Sequence, residues 1–188
     1  MQSMTAHFPP GATLWDRIEL LVADREMPLL KYALILGLIT AIPTSLITAV
    51  AIALGQVHFT IEILVFPWPV PGHPVAGFVI GLLDSVLLSP FTESGLALVP
   101  IWGLRKLRVP EKIIPLIAGV FWAALHARGG HLLQMIQVWP FYFYTLVLIK
   151  HEKPSLDRAW VRSSAVHAMH NSIGMIWGLA FVLLTQAG

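Results

Sequence analysis

The sequence contains no cysteine and few charged residues. Only 12% of its 188 residues are Asp, Glu, Lys or Arg, whereas soluble domains carry about 25%. The absence of cysteine excludes disulfides, cysteine-ligated metals and catalysis by a thiol nucleophile. A net charge of +2 gives no reason to expect a nucleic-acid partner. Because 56% of the residues are hydrophobic, the composition predicts an integral membrane protein surrounded by a lipid bilayer.

The apolar stretches divide the chain into two regions. Residues 1–28 are predicted to be an N-terminal tail and an amphipathic helix capped by Thr13. This helix could lie in the membrane interface or pack against the other helices, and the sequence supports both equally. Residues 29–188 are predicted to be a single transmembrane helical domain. Its first apolar stretch is longer than the about 7–15 apolar residues of a signal peptide, so we expect it to be retained as a span.

The sequence predicts an all-α fold, a polytopic bundle of about five to six spans. One span needs about 20 residues of mostly apolar character. Pro90 lies near the middle of the second predicted span, so this stretch could be one kinked helix or two segments. The five predicted spans cover about residues 29–54, 75–104, 113–127, 131–149 and 163–186.

The positions of Lys and Arg predict the orientation of these spans. Both residue types cluster near the N-terminus and in the loops 105–112 and 150–162. Cytoplasmic loops are enriched in Lys and Arg, so we expect these three segments and the N-terminus on the cytoplasmic side. The loop 56–74 contains neither residue type and is predicted to lie outside, as is the turn 128–130.

Four of the polar residues inside the predicted spans are candidate site residues. They are Glu93, His126, His167 and Asn171, the last being the only asparagine in the chain. An ionisable side chain in a bilayer costs several kcal/mol or more, so it usually faces the bundle interior and has a function there. His167 and Asn171 are four residues apart, which places both on one helix face. We expect the four side chains to meet in one cavity that opens towards the cytoplasmic half of the membrane.

These residues also belong to three motifs in a fixed order. The motifs are Glu93-Ser94, then Trp122 and His126 four residues apart, then His167 and Asn171. Over about residues 80–175 their order and separation resemble the CPBP family, which includes the type II CAAX prenyl endopeptidases. That family has Glu-Glu-x-x-x-Arg, then Phe-x-x-x-His, then His-x-x-x-Asn or His-x-x-x-Asp.

The chain departs from the family pattern at three positions. Ser94 stands where the second glutamate is expected, and Leu98 where the arginine is expected. Trp122 replaces the usual phenylalanine, which is a mild change. The first motif is therefore half missing.

The resemblance implies a glutamic-type intramembrane protease that uses no metal and no cofactor. Glu93 and His126 would activate a water molecule, while His167 and Asn171 would bind the oxyanion. Amide hydrolysis needs such a base and such preformed donors in a site poor in water. The implied partner is a membrane-anchored or prenylated peptide or protein, and the implied location is the bacterial cytoplasmic membrane.

Two other kinds of active site remain open on the sequence. His170 could join Glu93, His126 and His167 in a zinc site, although the His-Glu-x-x-His spacing of zinc proteases is absent. Ser94 could instead be a serine nucleophile of the rhomboid kind with His167 or His170 as its base.

Two other functions also remain open. A family member without activity could act as a membrane binding or immunity factor, which the missing glutamate and arginine favour. A proton-coupled transporter could use Asp84 together with Glu93 and the histidines, but the chain contains no internal repeat. Asp84 could also be structural or stand in for the missing glutamate.

Overall fold

A computed structural model describes residues 9–54, 73–126, 132–153 and 155–186. Within these ranges the chain is helical and contains no strand, which confirms the all-α class. The predicted turn 128–130 and nearly all of the predicted loop 56–74 lie outside the described residues.

The described ranges contain eight α-helices. A π-helical turn, Asp84–Leu88, joins the third to the fourth, and a 3₁₀ helix, Leu132–Gln137, leads into the seventh. In chain order the α-helices are α1 (Leu14–Ala23), α2 (Leu29–Ala53), α3 (Pro74–Leu83), α4 (Ser89–Leu96), α5 (Leu98–Lys106), α6 (Ile114–His126), α7 (Val138–His151) and α8 (Leu156–Gln186).

In the described part of the chain, two stretches of helix are long and apolar enough to cross a membrane. They are Leu29–Ala53, with 25 residues, and Ala76–Lys106, with 31 residues. The second predicted span is therefore one helical run. Pro90 does not divide it: Pro90 lies at the start of α4, directly after the π-helical turn Asp84–Leu88, and the helix continues through it. The apolar helix α6 is shorter, and the count of five to six spans remains a prediction from the sequence.

The last helix begins earlier than predicted. It starts at Leu156 instead of residue 163, so the segment 150–162 is mostly helix and the prediction of a loop there was wrong. Its Arg and Lys residues were taken as loop cations, but Arg162 lies within the helix. The guanidinium of Arg162 donates to the backbone carbonyls of Asp24, Arg25 and Met27 at 2.7–2.9 Å. These bonds hold the segment between α1 and α2 against α8.

The first helix is capped as expected and packs against α7. The Thr13 hydroxyl accepts from the Asp16 backbone N–H, and the Asp16 carboxylate accepts from the Thr13 N–H, at 3.1 and 2.8 Å. The Thr13 hydroxyl also donates to the Asp16 carboxylate at 2.7 Å, and this bond together with the one from the Thr13 N–H lowers the pKa of Asp16, since both favour the ionised form. Val22 is completely buried, and the Trp15 ring meets the edge of the Phe143 ring of α7.

The outward face of α2 is a continuous apolar stripe. Its side chains recur every four residues, and their exposed fractions range from 38% to 73%. Water solvates such a face poorly, so the stripe is the kind of surface that lipid covers. It consists of Leu30, Leu34, Leu38, Ile42, Leu46 and Val50.

The inward face of α2 packs closely on α8. A Cβ atom built on Gly37 would lie 2.6 Å from Cγ of Met169, so only glycine permits this approach. α8 also packs against α7 and α4. The polar side chains of α8 face different neighbours: His167 stacks on Tyr144 of α7, Asn171 donates to the π-helical turn before α4, and His170 contacts Thr40 of α2.

Candidate active site

Glu93 lies on α4 with one carboxylate oxygen engaged and the other free. Oε1 accepts a hydrogen bond from the Ser89 hydroxyl one turn earlier on the same helix, at 2.5 Å. Oε2 is buried and has no hydrogen-bond partner among the described residues. A buried acceptor without a partner is costly, so this oxygen is placed to bind a water or a ligand.

His126 ends α6 with its ring held by its own helix. Its Nδ1 lies 2.8 Å from the carbonyl oxygen of Trp122, and a carbonyl only accepts, so Nδ1 carries the proton. When the ring is neutral, Nε2 is therefore a free acceptor. Nε2 lies 3.8 Å from Oε2 of Glu93.

His167 approaches the same carboxylate oxygen from α8. Its Nε2 lies 4.0 Å from Oε2 of Glu93, and its ring is buried. The ring of Tyr144 stacks on it with centroids 4.2 Å apart and planes 17° apart. Both histidine nitrogens are too far from Oε2 for a direct hydrogen bond, yet close enough to share one water molecule with it.

Asn171 lies one turn beyond His167 and contacts the π-helical turn. Its side-chain Nδ2 donates to the carbonyl oxygen of Ser85 at 2.7 Å. A carboxamide has two N–H donors, so this bond fixes its orientation and leaves one donor available. Turns of π-helix occur frequently at functional sites.

The four predicted residues line one cavity of about 350 Å³. Sequence reasoning missed other parts of its wall: Ser85, Ser89, Gln137 and Phe141. The spacing of four residues between Ser89 and Glu93 could have indicated Ser89. No sequence signal places Phe141 there. Its ring meets both the His126 and the His167 ring, and it stacks on Trp122.

Ser94 and Leu98, the two residues that depart from the first motif of the family pattern, do not line the cavity. Ser94 is buried, and its hydroxyl accepts from Ser163 at 3.3 Å. Leu98 belongs to the hydrophobic core. Ser94 neither lines the cavity nor bonds to a histidine, so the geometry gives no support to a serine nucleophile.

Of the two further polar residues singled out in the sequence, His170 lines the cavity and Asp84 does not. Asp84 begins the π-helical turn and does not line the cavity. His170 does line it, but its Nδ1 lies 3.1 Å from the Thr40 hydroxyl of α2. In the described part of the chain, no group of three or more His, Asp or Glu side chains is arranged to hold a metal ion.

Comparisons with known proteins do not identify the chain. No protein-family model, no curated protein and no solved structure matches it.

Proposed function

We propose that this protein is an intramembrane endopeptidase of the CPBP kind that works without a metal or cofactor. Its substrate would be a membrane-anchored or prenylated peptide or protein, hydrolysed by water that Glu93 and His126 activate. We place it in the bacterial cytoplasmic membrane with its N-terminus in the cytoplasm and five spans.

One observation carries the proposal: the unpaired oxygen of Glu93. Oε2 is buried without a partner among the described residues, with His126 Nε2 at 3.8 Å and His167 Nε2 at 4.0 Å. A water bound between these atoms would be held by three polar groups, as buried waters typically are.

The proposed reaction begins with that water. Glu93 accepts a proton from it, and His126 can share this proton through its free Nε2. The water oxygen bonds to the substrate carbonyl carbon, and the carbonyl electrons move to oxygen. The C–N bond then breaks, and the leaving nitrogen takes the proton held by Glu93 and His126. No oxidant, reductant or metal is needed.

The oxyanion is assigned to the donors on α8. The Nδ1 of His167 is buried without a partner in the described chain, whereas its Nε2 faces the cavity. Asn171 has one amide N–H free, and both side chains project from consecutive turns of α8. Preformed donors of this kind supply much of the rate enhancement in acyl transfer.

A membrane location is supported by the outer surface. Among the described residues, two helical runs are long and apolar enough to cross a bilayer, and the outward stripe of α2 is entirely apolar. The five spans and their orientation rest on the distribution of Lys and Arg in the sequence.

A non-catalytic binding or immunity factor is the second candidate. It is favoured by Ser94 and Leu98, which replace the second glutamate and the arginine and pack in the interior. This candidate predicts that biological activity survives the loss of the Glu93 carboxylate.

The proposal is tested by reconstitution. We expect the purified protein in liposomes to cleave members of a library of dye-labelled, single-span apolar peptides, detected by mass spectrometry. The Glu93→Gln variant should be inactive, although its side-chain oxygen can still accept the hydrogen bond from the Ser89 hydroxyl. The control variant is Glu26→Gln, which changes an exposed residue outside the cavity and should retain activity. Cleavage by the Glu93→Gln variant would reject the mechanism.

A further inference from the structure

A second cavity adjoins the candidate active site. It has a volume of about 180 Å³ and lies between α2 and α8. Three residues, Gln137, His170 and Gly174, line both this cavity and the one that holds Glu93. A ligand that entered between α2 and α8 would therefore reach the candidate site by passing His170.

The wall of the second cavity is mostly apolar and combines small residues with the large side chains of Trp177 and Phe181. The hydroxyls of Thr44 and Thr48 donate to carbonyls of their own helix, at 2.9 Å to Ala41 and 2.8 Å to Thr44. They are therefore not free to donate to a ligand. Gly174 and Gly178 leave space on the α8 side. Such a narrow, apolar groove fits an extended apolar chain better than a bulky or charged group.

His170 and Gln137 are the polar side chains that line both cavities, and the contacts of His170 fix its tautomer. The Thr40 hydroxyl has only one hydrogen to donate. Its oxygen lies 3.0 Å from the carbonyl oxygens of Leu36 and Gly37 on the same helix, so that hydrogen is donated to them. Its oxygen must then accept from Nδ1 of His170, 3.1 Å away. This contact fixes the tautomer of the imidazole: Nδ1 carries the proton, and Nε2 is an acceptor.

We propose that His170 positions the substrate by accepting, at Nε2, a hydrogen bond from a backbone N–H of an extended apolar peptide segment. The segment lies in the groove between α2 and α8 and passes His170 into the cavity of Glu93. The inference rests on the proposed function, because it assigns the substrate path of that same site. It makes His170 a positioning residue, whereas Glu93 and His126 carry the chemistry.

The test measures binding without cleavage. In detergent micelles, the Glu93→Gln variant is titrated with a dansylated peptide of alternating leucine and alanine that has lysine at both ends. Energy transfer from the protein's tryptophans, one of which is Trp177 in the groove, reports the dissociation constant. The peptide is then methylated at one backbone nitrogen at a time, which removes one N–H donor in each version.

We expect methylation at a single position to weaken binding about tenfold, the effect of one lost hydrogen bond to a buried acceptor. When His170→Phe is added to Glu93→Gln, the same methylation should change binding less than about twofold. Failure of the unmethylated peptide to bind Glu93→Gln, or an identical methylation profile with and without His170→Phe, would overturn the proposal.

A second variant tests the same contact in case His170→Phe does not fold. Thr40→Val keeps the side-chain shape but removes the oxygen that fixes the tautomer. It should reduce the sensitivity to methylation at that one position, and an unchanged profile would count against the proposal. Thr92→Val is the matched control, because the Thr92 hydroxyl donates to the carbonyls of Leu88 and Ser89, one turn earlier in the chain.

The two proposals can fail separately. If library peptides are cleaved but methylation has the same effect with and without His170→Phe, the proposed hydrolase activity stands and the role of His170 is rejected. If the methylation effect depends on His170 but no library peptide is cleaved, the proposed hydrolase activity is rejected, and the groove between α2 and α8 is a peptide-binding site.

Discussion

The side-chain amide of Asn171 is tied to the carbonyl oxygen of Ser85 by a hydrogen bond of 2.7 Å. Ser85 belongs to the π-helical turn between α3 and α4, and Asn171 belongs to α8. The irregular turn therefore orients a side chain of the candidate site on another helix. It also leads directly into α4, which carries Ser89 and Glu93.

Replacing Asn171 should impair catalysis more than stability. The Asn171→Ala variant loses the free amide N–H assigned to the oxyanion, so we expect kcat to fall about 10²–10³-fold, the usual loss for one oxyanion donor. The measurement is peptide cleavage in liposomes at saturating substrate. Ser172→Ala is the matched control, since Ser172 bonds only to the Ala168 carbonyl of its own helix. Equal rates for the two variants would refute the assigned role.

If Glu93 and His126 activate the water, their substitutions should abolish cleavage, whereas substitution of Ser94 should not. Glu93→Gln and His126→Ala should both abolish cleavage, because each removes an acceptor for the proton of the water. Ser94→Ala removes a buried hydroxyl that contacts Ser163, so it should cost about 1 kcal/mol of stability and leave kcat nearly unchanged. Thermal unfolding in detergent is measured alongside cleavage. An inactive but folded Ser94→Ala variant would instead indicate a serine nucleophile.

Ser89 should affect the rate because its hydroxyl fixes the position of the Glu93 carboxylate. Its hydroxyl is the hydrogen-bond partner of Oε1 of Glu93. Hydrogen bonds to ionised groups contribute about 1.5–3 kcal/mol, so we expect Ser89→Ala to lower kcat/KM about tenfold. Thr92→Val, on the same helix, should leave kcat/KM unchanged. A Ser89→Ala variant with the parent rate would show that the bond does not position Glu93 for the reaction.

The parts of the site that lie at helical spacing could be predicted from the sequence. His167 and Asn171 are one turn apart on α8, and both line the cavity as expected. Glu93 and His126 lie within reach of one water, as expected for side chains that meet in one cavity. The catalytic roles of all four stay predictions, because geometry alone does not establish a reaction.

Other parts depend on tertiary contacts that no local pattern encodes. The π-helical turn adds a residue to one turn of an otherwise apolar helix, and nothing in the residues Asp84–Leu88 marks it. Phe141 reaches the histidines only because α7 packs beside α6 and α8. The early start of α8 was missed because Arg162 was interpreted as a loop cation, whereas it binds three backbone carbonyls of a distant segment.

Arg162 should be a large contributor to stability. It is 4% exposed, donates to three carbonyls, and lies over the Tyr32 ring with its guanidinium carbon 4.5 Å from the centroid. Arg162→Met leaves those carbonyls without this donor, so we expect a loss of about 2–4 kcal/mol, measured by thermal unfolding in detergent. Arg158→Met removes one exposed bond, to the Arg25 carbonyl, and should cost less than about 1 kcal/mol. Similar losses for both variants would contradict this account.

The absence of cysteine makes the predicted orientation directly testable. Because the natural chain cannot react with a maleimide, a single introduced cysteine reports its own side of the membrane. Lys153 and His73 are both exposed and lie in segments predicted to be on opposite sides. In intact cells, a membrane-impermeant maleimide should label His73→Cys at once and Lys153→Cys only after permeabilisation, because positively charged loops remain in the cytoplasm. Glu26→Cys should behave like Lys153→Cys. Labelling of Lys153→Cys from outside would reverse the orientation and place the segments rich in Lys and Arg on the external side.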